Sequence, residues 1–271
     1  MKPLLSYYGG KQRLAPTIIS LMPQFKSYIE PFCGGAAVFF ALPPDKKRVE
    51  VLNDKDERIV TLYRIAKTKT DDLIEMIEGT AYSRSCHKRA SNIWNGKEEV
   101  SDLELAWAVY VTIMQGFGNV PGKGWEFNKQ NSTSPVLSWQ NVKTRLKDQI
   151  ERLNNVHIEC DDALKVIQRW DSEDAFFYLD PPYPNTNSGH YKGYTMNDYK
   201  TLIDLLTTIK GKFLLSNYHQ AVTIPEEWVQ IEKTLLCAVS KKVEKRGNRT
   251  EVIIGNCTPR QTSFFDTDWN G

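Results

Sequence analysis

Four consecutive residues, Asp180-Pro181-Pro182-Tyr183, follow directly on the apolar run 175–179. A short apolar run bounded by turn residues reads as a buried strand, so the Asp stands at its carboxyl end. The two prolines fix both φ angles and withdraw two backbone donors, leaving the carbonyls before them open to an outside donor. A carboxylate beside such a carbonyl accepts both N–H hydrogens of a planar amine. The Tyr183 ring is then placed to stack on the heterocycle that carries the amine.

Two further strand ends carry polar or glycine-rich residues. Glu30-Pro31-Phe32-Cys33-Gly34-Gly35 follows a strand at 27–30 and opens a helix. Glycines in that place let the backbone approach a ligand closely, and the helix N-terminus favours polar or anionic groups. The run lacks the Gly-x-Gly-x-x-Gly fingerprint, which disfavours a nicotinamide or flavin. Asn53-Asp54 ends the next strand, about twenty residues on, where a carboxylate accepts hydrogen bonds from ribose hydroxyls. An Asp there also serves as a helix cap, so both readings stand.

The elements that must position these residues alternate in the first third of the chain. Strands are expected at 27–30 and 48–52, with helices at 36–42 and 55–66. From 67 to 155 the texture changes to helical patterns at 71–78, 82–94, 102–114 and 138–153. The stretch 116–135, rich in Gly, Asn, Ser and aromatics, reads as a loop or hairpin. Alternation then resumes with a strand at 156–159, a helix at 163–170, the strand 175–179, a helix at 197–209 and a strand at 213–216. Two late strands, 228–236 and 250–256, flank a basic segment. Buried strands joined by crossover helices imply an α/β fold, a largely parallel sheet with helices on both faces. The division expected is a catalytic part of 1–66 and 156–271 around an inserted, mainly helical part of 67–155.

Bulk properties exclude several classes. No stretch approaches the ~20 apolar residues of a membrane-spanning helix, and the N-terminus lacks a signal-peptide core. The five cysteines are scattered and never spaced Cys-x-x-Cys, and the four histidines form no cluster, so neither a disulfide framework nor a metal is expected. Cys160 and Cys237 fall on apolar strands and are expected in the core. A net charge of +2 leaves any attraction to nucleic acid to local patches. Residues 84–152 hold ten Lys/Arg against seven Asp/Glu. Gln115, Phe117, Asn119, Lys123 and Trp125 there supply amides, aromatics and a cation on flexible backbone, which suits base-edge readout and insertion into a base stack. Lys241, Lys242 and Arg246, with Lys245 and Arg249, form a second patch suited to phosphates.

Taken together, Glu30-Pro-Phe-Cys-Gly-Gly, Asn53-Asp54 and Asp180-Pro-Pro-Tyr resemble the motifs of the Dam-like DNA adenine methyltransferases. Tyr7-Tyr8-Gly9-Gly10-Lys11 resembles that family's N-terminal Gly-Gly-Lys motif, and Arg249-x-Glu251-Val-Ile-Ile-x-Asn256 its closing strand. The resemblance implies a Rossmann-like methyltransferase sheet, with 67–155 as the target-recognition domain. It implies S-adenosylmethionine as cofactor and the N6 amine of an adenine flipped from double-stranded DNA as target. It assigns catalysis to Asp180, Pro181, Pro182 and Tyr183. Cofactor contacts fall to Tyr7, Lys11, Glu30, Phe32, Gly34, Asp54, Asp162 and Asp180, with Lys11 near the carboxylate end. At Asp161-Asp162-Ala163 the family has an Asp-Phe pair; Ala163 replaces the aromatic. Methylation of the cytosine amine or of adenine in RNA uses similar chemistry and stands as the alternative; a DNA-binding module without catalysis is the alternative of another class. A monomer in the cytoplasm, at the nucleoid of a bacterium or phage-infected cell, is expected. A cognate restriction endonuclease is left open as partner, and the recognition sequence is not implied.

Overall fold

The computed structural model describes residues 1–7, 9–127, 135–182, 193–217, 223–236 and 248–257. Among the described residues seven strands form one sheet: β1 (Ser27–Glu30), β2 (Val49–Asn53), β3 (Val156–Glu159), β4 (Ala175–Leu179), β5 (Lys212–Asn217), β6 (Val229–Leu236) and β7 (Asn248–Gly255). Their order is β3-β2-β1-β4-β5-β7-β6. The first five are mutually parallel, and β7 runs antiparallel between β5 and β6. The order reverses between β1 and β4, which makes the crevice at their carboxyl ends the place for a ligand in this Rossmann-like α/β fold.

Period-two alternation sends each strand's side chains to two different cores. Phe176 and Tyr178 of β4 face one, with Tyr28, Leu52, Leu214 and Ile253. Ala175, Phe177 and Leu179 face the other, with Ile29, Val51, Phe213 and Leu215. The second core is covered by α9 (Ala163–Trp170) and α10 (Met196–Leu206). The first is covered by α1 (Ala15–Leu21), α2 (Ala37–Ala41), α3 (Glu57–Thr68) and the helices that follow. Helices therefore lie on both faces, as expected.

Residues 67–155 contribute α4 (Thr70–Glu78), α5 (Arg84–Trp94), α6 (Asp102–Met114), α7 (Pro135–Lys143) and α8 (Leu146–Glu151). At the centre is α6, apolar all round, as a helix enclosed by others must be; residues Ala106 to Ile113 are buried against α3, α4 and α5. Ser101 and Glu104 close its N-terminus as a reciprocal capping box. Arg152, just past α8, makes a bidentate pair with the buried Glu50 of β2 at 2.6 and 2.7 Å, which ties this layer to the sheet.

Three expectations need correction. The single helix read at 138–153 is two: the Lys143 ammonium donates to the carbonyls of Glu78 and Thr80 at 2.6 and 2.9 Å, anchoring the end of α7 against α4. The chain restarts at Leu146, which returns Leu146 and Ile150 to the core. The seven-residue α1 was not anticipated; with Ala15 and Ile18 as its buried residues it is too short to show a period. Cys160 is exposed rather than in the core, because the chain leaves the sheet at Glu159; Cys237 lies outside the described residues.

Candidate active site

The pairing of Ile29 with Phe177 brings the residues after β1 level with those after β4. The turn after β1 is built for close approach. Gly34 takes a left-handed φ of 47°, and a side chain on Gly35 would meet the Leu5 carbonyl at 2.8 Å and Tyr7 Cβ at 2.9 Å. The turn is thus packed beneath Tyr7. From the other side the Gly34 amide donates to Asp54 at 2.8 Å, and the Tyr63 hydroxyl donates to the Gly34 carbonyl at 2.8 Å.

Asn53, fully buried at the end of β2, joins three strand ends. Its amide donates to the carbonyls of Pro31 and Asp161 at 2.8 and 3.1 Å and accepts from the Asp161 amide at 2.9 Å. Asp54 beside it is half-buried and also accepts from the Asp56 amide at 2.9 Å. Burial pushes its carboxyl up to about 6, against the pull of the Asp56 and Gly34 amides. Two backbone donors leave lone pairs on a carboxylate for further hydroxyls. Asp162 caps α9 through the Leu164 amide at 3.0 Å and stays partly exposed. Phe32 is half-buried and meets Tyr194 edge-on, ring centres 6.4 Å apart.

Glu30 sits deeper than expected for a ligand contact. Its carboxyl is 2% exposed and accepts from the Tyr28 hydroxyl and from the Phe39 amide in the first turn of α2. Its place is beneath the site, joining β1 to α2. Burial raises it to about 8, outweighing both hydrogen bonds.

At the end of β4 the partner of Asp180 comes from the far N-terminus. The Lys11 ammonium lies 2.8 and 2.9 Å from the two Asp180 oxygens, 169 residues away in sequence, and 3.8 Å from Glu251 of β7. Lys11 is 5% exposed. Its carbonyl accepts from the Leu14 and Ala15 amides, so the start of α1 fixes where the lysine stands. Burial by itself would discharge the ammonium, but Asp180 beside it, with Tyr178 and Glu251, holds its pKa above the ordinary lysine value. Pro181 is buried and Pro182 half-buried. Tyr183 lies outside the described residues.

The stretch after α6 is a hairpin, closed by the antiparallel bridge between Gly116 and Trp125 and by the Phe117 amide on the Gly124 carbonyl at 2.9 Å. Phe117, 62% exposed, and Lys123 face outward, while Asn119 and Trp125 are half-buried. The Asn119 side chain donates to the Ile113 carbonyl at 3.2 Å. Gln115 is not on the surface: fully buried, its amide donates to the Ala81 carbonyl at 3.1 Å and accepts from the Ser83 amide at 3.4 Å. Its hydrogen-bonding groups are turned to the protein, so it holds the hairpin base instead of facing a ligand. Residues not singled out from sequence join the hairpin: Tyr82 packs on Trp125 at 5.3 Å, and the Arg84 guanidinium lies over Trp125 and Phe127 at 4.9 and 5.5 Å. No local spacing signals a contact across some forty residues. The Ser6 amide donates to the Met114 sulfur at 3.4 Å, so the end of α6 that launches the hairpin rests on the segment bearing Tyr7.

Lys241, Lys242 and Arg246 lie outside the described residues. Among the described residues no three His, Cys, Asp or Glu side chains converge as metal ligands, and no helix is long and apolar enough to cross a membrane.

The model of a family described as D12 class N6 adenine-specific DNA methyltransferase matches residues 7–236. The chain is 27% identical over 281 residues to the type II methyltransferase M1.LlaDCHI of Lactococcus lactis subsp. cremoris, covering 94% of this chain and 95% of that protein. It is 23% identical over 272 residues to the DNA adenine methylase of Salmonella typhi, covering 93% and 92%. Among solved structures it resembles the rRNA methyltransferase aviRa from Streptomyces viridochromogenes with a TM-score of 0.39 and 12% identity, over 90% of this chain and 84% of that one.

Proposed function

Since this chain belongs to the D12 class of N6 adenine-specific DNA methyltransferases, we propose that it methylates an adenine flipped out of double-stranded DNA, at a specific sequence, with S-adenosylmethionine as donor. The observation that carries the site assignment is Asp180 at the β1/β4 crevice, paired on both oxygens with the buried Lys11.

The residues at the crevice suit that cofactor. Asp54 and Asp162 offer carboxylate acceptors for a ribose diol at the ends of β2 and β3, and Phe32 offers an apolar ring beside them. Gly34 and Gly35 keep the turn beneath Tyr7 free of side chains. Lys11 and Asp180 mark the polar end, where the methionine portion belongs. When bound, S-adenosylmethionine supplies a methyl group on a sulfonium, electrophilic enough for direct transfer to nitrogen.

The protein's task is to make the adenine amine a nucleophile. Its lone pair is delocalised into the ring, which makes it unreactive. Asp180 and the Pro181 carbonyl accept the two N–H hydrogens, draw the nitrogen toward tetrahedral geometry and aim the lone pair at the methyl carbon. After transfer the nitrogen carries one proton too many, and the Asp180 carboxylate is the acceptor through which it leaves. Lys11 orients Asp180 through both of its oxygens, and Tyr183 stacks on the base.

Extruding the base costs roughly a few kcal/mol, which the DNA-facing layer must offset. We assign this to residues 67–155, with Phe117 entering the gap, Asn119, Lys123 and Trp125 at the base edges and backbone, and Gln115 positioning the hairpin. Lys241, Lys242 and Arg246 are assigned to phosphates. Type II names among the relatives support a place beside a restriction endonuclease, and we assign a monomer in the cytoplasm, where the DNA lies.

The test is expression in a host free of adenine methylation, followed by genome-wide mapping of modified bases, beside Asp180→Ala. Methylated adenine confined to one short motif and absent from the variant is the expected result. A folded, cofactor-bound protein that leaves no modified adenine overturns the reading in favour of cytosine or RNA. Methylation at many unrelated sequences keeps the chemistry but removes sequence readout from 67–155.

A further inference from the structure

The apolar closing strand β7 contains one acid among Val252, Ile253 and Ile254. Period-two alternation turns Val252 and Ile254 to the core under α9 and α10, and Ile253 to the opposite core. Glu251 therefore shares the face of Ile253, which is also the face of Tyr178. It is 8% exposed. A carboxylate is retained in such a place only when a charge or hydrogen bonds compensate its lost hydration. The cation it faces is Lys11, 3.8 Å away, close enough for an ion pair and too long for a hydrogen bond. The same ammonium is hydrogen-bonded to both oxygens of Asp180. One buried cation thus stands between two carboxylates, one catalytic at the end of β4 and one on the antiparallel strand β7, with β5 between the two strands.

Resting on the methyltransferase reading above, we propose that Glu251 is a positioning residue for the reaction: it holds the Lys11 ammonium while Asp180 turns an oxygen to the adenine amine. In the structure as it stands Asp180 gives both oxygens to Lys11. Each Asp180 oxygen keeps a lone pair for an amine hydrogen, but turning it to the amine changes its angle to the ammonium, which also donates to the Gly9 carbonyl at 3.3 Å and is steadied there by a second anion. Glu251 supplies it. Without that anion the ammonium settles on Asp180 and opposes the turn.

The experiment is steady-state methylation of a DNA duplex taken from the mapped target, comparing wild type, Glu251→Gln, Lys11→Met and the double variant. Affinities for duplex and for S-adenosylhomocysteine are measured separately by calorimetry. Glu251→Gln is expected to lower kcat about tenfold or more while KM for DNA and both affinities stay within about twofold. In the Lys11→Met background the same change is expected to add nothing, since Glu251 acts through Lys11. A wild-type kcat in Glu251→Gln, or losses that multiply in the double variant, overturns the proposal. Should Glu251→Gln not fold, Glu251→Asp keeps the charge and withdraws it from Lys11: a lowered kcat with unchanged affinities supports the role, an unchanged kcat refutes it. A wild type without turnover on any mapped adenine overturns the methyltransferase reading itself, and is thereby told apart from the failure of Glu251.

Discussion

Glu30 and Lys11 are both buried ionisable groups beneath or at the catalytic edge, and burial leaves them in opposite states. Lys11 keeps its charge because Asp180 lies within hydrogen-bonding distance. Glu30 has neutral donors, the Tyr28 hydroxyl and the Phe39 amide, which do not compensate the loss of water, and it titrates at about 8. Its folded pKa is above the unfolded value of about 4.3. Between those two values the folded protein keeps a proton that the unfolded chain has lost. The Glu30 contribution to stability therefore falls as pH rises from about 4.3 to about 8, and levels off above. Glu30→Gln carries no such dependence. Urea unfolding at about pH 5 and about pH 8.5 is expected to show the variant gaining on wild type at the higher pH. Comparing across pH cancels any constant offset from the new amide; a difference that stays flat or runs the other way contradicts the assignment.

Among the elements, the hairpin after α6 separates two kinds of residue that composition alone groups together. Gln115 is at its buried base, holding the backbone at Ala81 and Ser83. Phe117, two residues on, turns its ring outward and is the residue proposed to enter the DNA. Truncating Gln115 to Ala leaves a backbone carbonyl and amide without partners, at a cost of about 1–3 kcal/mol. Truncating Phe117 to Ala is expected to change stability by about 0.5 kcal/mol or less, as at other surface positions. Both are expected to weaken DNA binding, measured by fluorescence anisotropy on the target duplex, but only Gln115→Ala is expected to lower the urea midpoint. A Phe117→Ala protein that binds DNA as wild type does excludes insertion by that ring.

For the molecule as a whole, the layer proposed to read DNA is knit into the catalytic one. The buried face of α6 lies against α3, which belongs to the first 68 residues. Gln149 donates to the carbonyls of Lys2 and Pro3, and Arg152 grips Glu50. A fragment of residues 67–155 would expose the apolar surface that α3 covers, so it is expected not to fold by itself. Far-UV circular dichroism and limited proteolysis check this; a cooperative melt in the isolated fragment refutes it. The Ser6–Met114 contact sets the base of the hairpin against the segment that carries Tyr7.

The sequence by itself determined the elements whose signals are local. Strands β1, β3 and β4 and helices α6 and α9 lie where their patterns place them, because apolar alternation, uninterrupted apolar runs and the turn residues beside them act over a few positions. With those elements in place, Asp180 at the end of β4 was bound to face the crevice after β1. What is decided by long-range packing was not legible. Nothing near Gln115 signals that its partners lie 34 and 32 residues away, so an amide beside a glycine reads as a loop ligand. The break before α8 falls where Lys143 reaches the Glu78 carbonyl at the end of α4, across 65 residues. The triad of Lys11, Asp180 and Glu251 joins the N-terminal segment, the middle strand and the closing strand. Its members are adjacent only because parallel pairing sets β4 and β5 side by side and β7 returns antiparallel along the far edge of β5. Pairing across such distances is chosen by the burial of whole faces, and no window of sequence contains both partners.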